Sequence, residues 1–220
     1  MPQATVHLLR HGEVHNPEGI LYGRLPGFHL SERGREMARM LSEHFADRSA
    51  RGAKLVYLAA SPLERAQETA EPTSEALSLD VHVEPRIIEA ENHFEGLKAS
   101  GSEFIKPKHW VEFRNPFRPS WGEPYKEQVV RMRSAVDDAR QKAVELGGDG
   151  AEAILVSHQL PIYATRRSAE GQPLWHDPRK RQCTLTSLTS LVFDDGGLVR
   201  VEYSEPAAVL LPGAASTPGA

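Results

Sequence analysis

Thr5-Val6-His7-Leu8-Leu9-Arg10-His11-Gly12-Glu13 runs from an apolar, partly β-branched stretch directly into charged residues and a glycine. A short apolar run that ends in a small or polar cluster has the pattern of a strand buried on both faces. Residues 55–59 and 153–156 repeat it, and helix-like sequence follows each run at once or after a loop. Residues 30–46 place Leu30, Met37, Met40, Leu41, His44 and Phe45 at helical spacing. Ser61-Pro62-Leu63-Glu64 offers an N-cap, a first-turn proline and a capping-box glutamate, which predicts a helix starting there. Residues 125–146 predict a further helix stopped by Gly147-Gly148, and residues 187–193 and 198–203 a hairpin around Asp194-Asp195-Gly196-Gly197. Alternating strands and helices imply an α/β fold, a three-layer α/β/α sandwich with a mostly parallel central sheet.

The 220 residues suit one domain, taken as residues 1–205 with a flexible tail over 206–220. Apolar residues make up 40% and charged residues 25%, so a core can be buried and global disorder is excluded. A net charge of −4 excludes general attraction to nucleic acid or anionic membrane, so any anion site must be local. No uncharged apolar run approaches the ~18 residues of a membrane span, and the first residues lack a signal pattern, so the expected location is cytoplasmic. Cys183 is the single cysteine, which excludes an intramolecular disulfide and a cysteine-built metal site. Its place at the start of a late strand fits a buried small hydrophobe. Residues 97–124 have no clear period and gather Phe104, Trp110, Phe113, Phe117 and Trp121. Five basic residues (Lys98, Lys106, Lys108, Arg114, Arg118) there outnumber Glu103, Glu112 and Glu123, so this segment reads as an inserted, basic, cap-like loop.

Ligands of open α/β sheets bind beyond the carboxyl ends of the strands. Those ends here carry Arg10-His11-Gly12-Glu13, then Ser61-Pro62 with Arg65 one helical turn on, then Ser157-His158-Gln159. Neighbouring strands would bring two arginines and two histidines together. Guanidinium forks match phosphate oxygens and keep their charge, so a tetrahedral dianion is the natural occupant. Gly12 would let the backbone approach one of its oxygens. His7, His11 and His15 recur every four residues, yet a strand over 5–9 defeats a helical metal face, and no metal or cofactor is expected.

These motifs, with Tyr22-Gly23-Arg24, Leu30-Ser31, Gly34 and Leu63-Glu64-Arg65-Ala66, resemble the histidine phosphatase superfamily, the phosphoglycerate mutase-like clan. The resemblance spans residues 5–203. It implies that His11 becomes phosphorylated and that Arg10, Arg65 and His158 hold the phosphoryl group. Asn16, Gly23 and Arg24 are substrate-contact candidates, and the basic bias of residues 97–124 adds Arg114 and Arg118. It departs from the family at Val14 and Asn16-Pro17, where the pattern has a hydroxyl residue and then an asparagine, and at Pro26, near where many members carry aspartate.

Nearby Arg10 and Arg65 would keep His11 neutral and nucleophilic. A leaving alkoxide needs a proton, and the attacking water then needs a base, so one carboxyl group could serve both steps. Glu89 is the candidate, in a segment resembling the family's acid-bearing one at a spacing about one residue short, with Glu91 and Glu13 as alternatives. The expected function is metal-independent phosphomonoester hydrolysis of a small phosphorylated metabolite. A phosphoglycerate-type mutase is the nearest rival, and a catalytically silent phosphate-binding regulatory module is the alternative from another class. His176-Asp177 and Arg179-Lys180-Arg181 read as a solvated turn.

Overall fold

Every strand and helix read from the sequence forms, in a computed structural model that describes residues 2–98 and 122–215. Arg114, Arg118 and the aromatic residues of the expected cap lie outside the described residues. The order is β1 (Ala4–Arg10), α1 (Glu32–Ala50), β2 (Lys54–Ala60), α2 (Glu64–Leu77), β3 (Val81–Val83), α3 (Tyr125–Gly147), β4 (Ala151–Ser157), α4 (Gln159–Ala169), β5 (Leu188–Asp194) and β6 (Gly197–Ser204). The sheet runs β3-β2-β4-β1-β5-β6. β3, β2, β4 and β1 pair in parallel, and the β5–β6 hairpin joins β1 antiparallel. The mostly parallel sheet is therefore as expected, with the edge strand β3 too short to stand out in sequence.

Side chains alternate across β1, which splits the core into two layers. Val6 and Leu8 join Met132, Ala135, Val136 and Ala139 of α3 and Ile162 of α4 on one face. Leu9 joins Leu41 and Phe45 of α1 and Ala66 and Ala70 of α2 on the other. Each fully buried Leu, Ile or Val contributes roughly 1.5–3 kcal/mol. The two helical layers thus fix the strand ends between them, and β1, β4 and β2, the three strands with chemistry at their ends, are direct neighbours.

Two expectations change. α2 starts at Glu64 with Leu63 as its N-cap and no side-chain capping bond, because the Ser61 hydroxyl faces His158 instead. Residues 206–215, expected as part of a flexible tail, are docked. Ala207 is buried, Leu210, Leu211 and Ala214 pack on Met37 and Leu185, and Ala215 N donates to Glu13 Oε2 at 3.1 Å. Among the described residues no helix is long and apolar enough to cross a membrane.

Candidate active site

The pocket is assembled from three strand ends and one helix start. Arg10 closes β1 and donates its backbone N–H to Ser187 O, His11 follows and donates to Ser157 O at 3.1 Å, and Ser61 N donates to Val156 O at 2.9 Å. Arg65 enters from the first turn of α2, and His158 is the N-cap of α4. Arg10, His11, Arg65 and His158 are each at most 1% exposed. The sequence-predicted quartet is therefore brought together, with the two imidazole rings 5.2 Å apart between centroids.

Each member is held by one side and open on another. His11 Nδ1 donates to the Gly12 carbonyl at 2.8 Å, a partner that can only accept, so the proton sits on Nδ1 and the lone pair on Nε2. Arg10 Nη1 donates to Cys183 O at 2.7 Å, and Arg65 Nη2 to Gly23 O at 2.6 Å. The Tyr22 ring lies under the Arg65 guanidinium, 4.7 Å from it. His158 Nε2 meets Ser61 Oγ at 2.7 Å. Against these anchors, Arg10 Nε, His11 Nε2, Arg65 Nε and Nη1, and His158 Nδ1 are buried with no partner among the described residues. Buried polar groups are ordinarily paired, and an unpaired one costs about 1–3 kcal/mol. Guanidinium donors clustered around the lone pair of a neutral imidazole form a cradle suited to a multiply charged oxyanion.

The electrostatics agree. Burial, then Arg65, then Arg10 hold His11 well below the ordinary imidazole value, and burial followed by Arg65 does the same to His158. Both rings are neutral near pH 7. Glu89 is 4% exposed, and burial raises its carboxyl above the usual range although Ala90 N–H, Arg65, Arg181 and Arg10 pull the other way. A buried carboxyl near Arg65 and Arg10 whose neutral form is favoured by burial has the chemistry of a proton donor.

The alternatives to Glu89 are placed elsewhere. Glu91 is 68% exposed and ion-paired with Arg24. The Glu13 carboxylate accepts from Ser31 Oγ and from Ala215 N. The further contact candidates among the described residues serve the scaffold. Asn16 bonds Ile20 through both ends of its amide. Arg24 donates from Nε to Glu89 O, from Nη1 to Glu91 and from Nη2 to Glu123, so all three nitrogens already hold protein acceptors. Gly23 anchors Arg65, and at its φ of +36° an added Cβ would meet Glu95 Oε1 at 2.2 Å. Gly12 donates its N–H to Thr69 Oγ1, and an added Cβ would lie 2.7 Å from the Gly34 carbonyl. The structure thus gives this glycine a packing reason.

Two residues were missed by sequence reasoning. Ser61 read as a helix cap, and only its position one strand from His158 could have betrayed it. Arg181 read as part of a solvated turn. It is half-buried, donates from Nε to His176 Nε2 at 2.8 Å, and sits close enough to Glu89 to bear on its charge.

A family model described as histidine phosphatase superfamily (branch 1) matches residues 6–206. The uncharacterized protein Rv0525 of Mycobacterium tuberculosis is 50% identical over 212 residues, 95% of this chain and 100% of that one. A probable phosphoglycerate mutase GpmB of an Enterobacter species is 26% identical over 83% of each chain. Among solved structures, the mycobacterial glucosyl-3-phosphoglycerate phosphatase Rv2419c superposes with a TM-score of 0.73 at 24% identity, covering 92% of this chain and 97% of that one, a likeness of fold.

Proposed function

The chain belongs to the histidine phosphatase superfamily, branch 1, and from that premise we propose that it hydrolyses the phosphomonoester of a small metabolite through a phosphohistidine at His11. The observation that carries this reading is the set of unpartnered polar atoms on Arg10, His11, Arg65 and His158, all buried at one point beyond the strand ends.

The ester phosphorus sits against His11 Nε2, whose lone pair attacks while the bond to the leaving oxygen breaks. Glu89 gives its proton to that oxygen, and the alcohol departs. Water then attacks the phosphohistidine, the Glu89 carboxylate takes its proton, the N–P bond breaks, and neutral His11 and inorganic phosphate remain. Arg10, Arg65 and the Nδ1–H of His158 hold the three equatorial oxygens as charge spreads over them. Ser61 sets that tautomer. In this reading its hydroxyl donates to His158 Nε2 while Oγ accepts from Leu63 N–H, which puts the ring proton on Nδ1, facing the anion. The two guanidinium groups neutralise the phosphoryl charge, so a chelator leaves turnover intact.

The test is release of inorganic phosphate from phenyl phosphate, with label trapped on His11 by alkaline quench of a labelled ester. Label on another residue would overturn the phosphohistidine. Transfer of the phosphoryl group to a second substrate hydroxyl, with no phosphate released, would replace hydrolysis by the mutase reaction, in which the alcohol stays bound. Phosphate binding with neither label nor turnover would leave a regulatory module.

A further inference from the structure

Beside the phosphate cradle lies a cavity of about 290 Å³ whose lining includes Arg10, Gln159, Arg179, Arg181, Thr184 and Leu211. Arg10 lines this cavity and also belongs to the cradle, so the two spaces share one side chain. The sequence of 176–181 suggests a solvated turn, but Arg181 is built in. His176 is 7% exposed, wedged against Tyr125 and Tyr163 with ring centroids 5.3 and 4.8 Å away. Its Nδ1 donates to Leu174 O at 2.7 Å, so its Nε2 is a neutral acceptor, and that acceptor takes the Arg181 Nε–H at 2.8 Å. The Tyr125 hydroxyl lies near enough to the Arg181 guanidinium to bear on its charge. An uncharged hydrogen-bond partner thus aims a half-buried arginine without neutralising it.

No carboxylate does so either. Among the described residues Arg181 has no ion pair. Asp177, the nearest acid in sequence, is bound to Arg179, and Glu205 accepts from Thr184 and Tyr203. Glu89 bears on Arg181 through space, but burial holds it toward its neutral form. Gln159 also lines the cavity, its amide donating to Cys183 O. A half-buried cation with a neutral support, lining a cavity that Arg10 also lines, suits an anion on the same ligand as the phosphoryl group.

We propose that Arg181, aimed by His176, binds a second anionic group on the leaving portion of the substrate, a carboxylate or a second phosphate seated in the cavity it shares with Arg10. This deepens the hydrolase reading and rests on it. The substrate class is then a small phosphomonoester with an acidic tail, discriminated by a residue outside the phosphoryl cradle.

The experiment measures binding of non-hydrolysable probes to the full chain: methylphosphonate, phosphonopropionate and ethylenediphosphonate. Phosphonopropionate or ethylenediphosphonate should bind at least about tenfold more tightly than methylphosphonate, the effect of one hydrogen bond to a charged group. Whichever tailed probe gains more identifies the tail as carboxylate or phosphate. Arg181→Gln should bring that ratio close to one, and Arg181→Lys, which keeps the charge and loses the fork, should lower it partway, with thermal melts checking the fold. Equal binding of all three probes to the native protein overturns the proposal, as does a ratio unchanged in either variant. If Arg181→Gln does not fold, Arg181→Lys alone decides. Phosphate release from phenyl phosphate is scored separately. A chain that prefers tailed probes yet releases no phosphate keeps the subsite and loses the hydrolase, and one that hydrolyses without any preference loses the subsite alone.

Discussion

Arg24 and Arg65 lie on the same side of the molecule and have opposite surroundings. Arg24 has a protein acceptor on every guanidinium nitrogen, and its partner Glu123 is shared with Arg131, which in turn donates to Arg86 O. Among the described residues Arg65, fully buried, has no ion pair and keeps Nε and Nη1 unpartnered. The first network is complete within the protein and clamps the Glu89 backbone. The second leaves two guanidinium nitrogens for the phosphoryl group of the proposed reaction. Buried polar groups left unsatisfied are destabilising, so their presence in a folded protein marks the place where stability has been yielded to function.

This contrast can be broken most sharply at His11, the proposed nucleophile. His11→Ala should lower kcat/KM by at least about 10³-fold while the protein melts no lower than the native chain, since nothing else can carry the phosphoryl group. Turnover near the native level would end the phosphohistidine account. Arg65→Met should cost about 10²–10³-fold in kcat, the scale of one lost oxyanion donor, and leave stability equal or raised, because it removes unsatisfied donors from the interior. A large fall in the melting temperature would put Arg65 in the same class as Arg24.

Glu89→Gln should cost about 10²-fold on alkyl phosphates and far less on aryl phosphates, whose leaving groups need little protonation. Its pH signature has a definite sign. Burial raises the Glu89 carboxyl, so the acid needed for the first step is lost as pH rises through that raised value, and Glu89→Gln should remove this alkaline limb. On the acid side, His11 is held below 6.5 and stays neutral where the unfolded chain takes a proton. The native state therefore binds fewer protons in the window between the two values, and stability falls as pH drops through it. Arg24→Ala carries the smallest effect on chemistry. It should destabilise by about 1.5–3 kcal/mol, read from urea unfolding, with a kcat loss confined to the displacement of Glu89.

The sheet and the quartet were legible because apolar runs and the residues after them are local patterns. Arg10, His11 and His158 each sit just past a run, where the chain leaves the sheet. Glu89 was legible only as a choice between carboxylates, since the distinction lies in burial contributed by chain segments far away in sequence. Ser61 was misread because a serine before Pro-Leu-Glu satisfies the capping pattern, while the bond it makes depends on β4 lying beside β2. Arg181 was hidden for the same reason. Its partner His176 comes from a loop and packs on Tyr125 at the start of α3, and a run of basic residues looks the same whether one of them turns inward or not.

Gly12 and Gly34 meet with no side chain between them: a Cβ on Gly12 would stand 2.7 Å from Gly34 O, and one on Gly34 would stand 2.0 Å from Glu13 O. The loop that carries His11, the proposed nucleophile, is thus seated directly on the first turn of α1, which makes the helix a mechanical mount for it. An alanine at Gly34 touches no substrate, yet it would push the mount and the imidazole together, so variation at a helix position remote from the cradle is limited by the tolerance of in-line attack. The catalytic motif accordingly extends, in terms of which sequences can carry it, into a helix whose other residues answer only to the core.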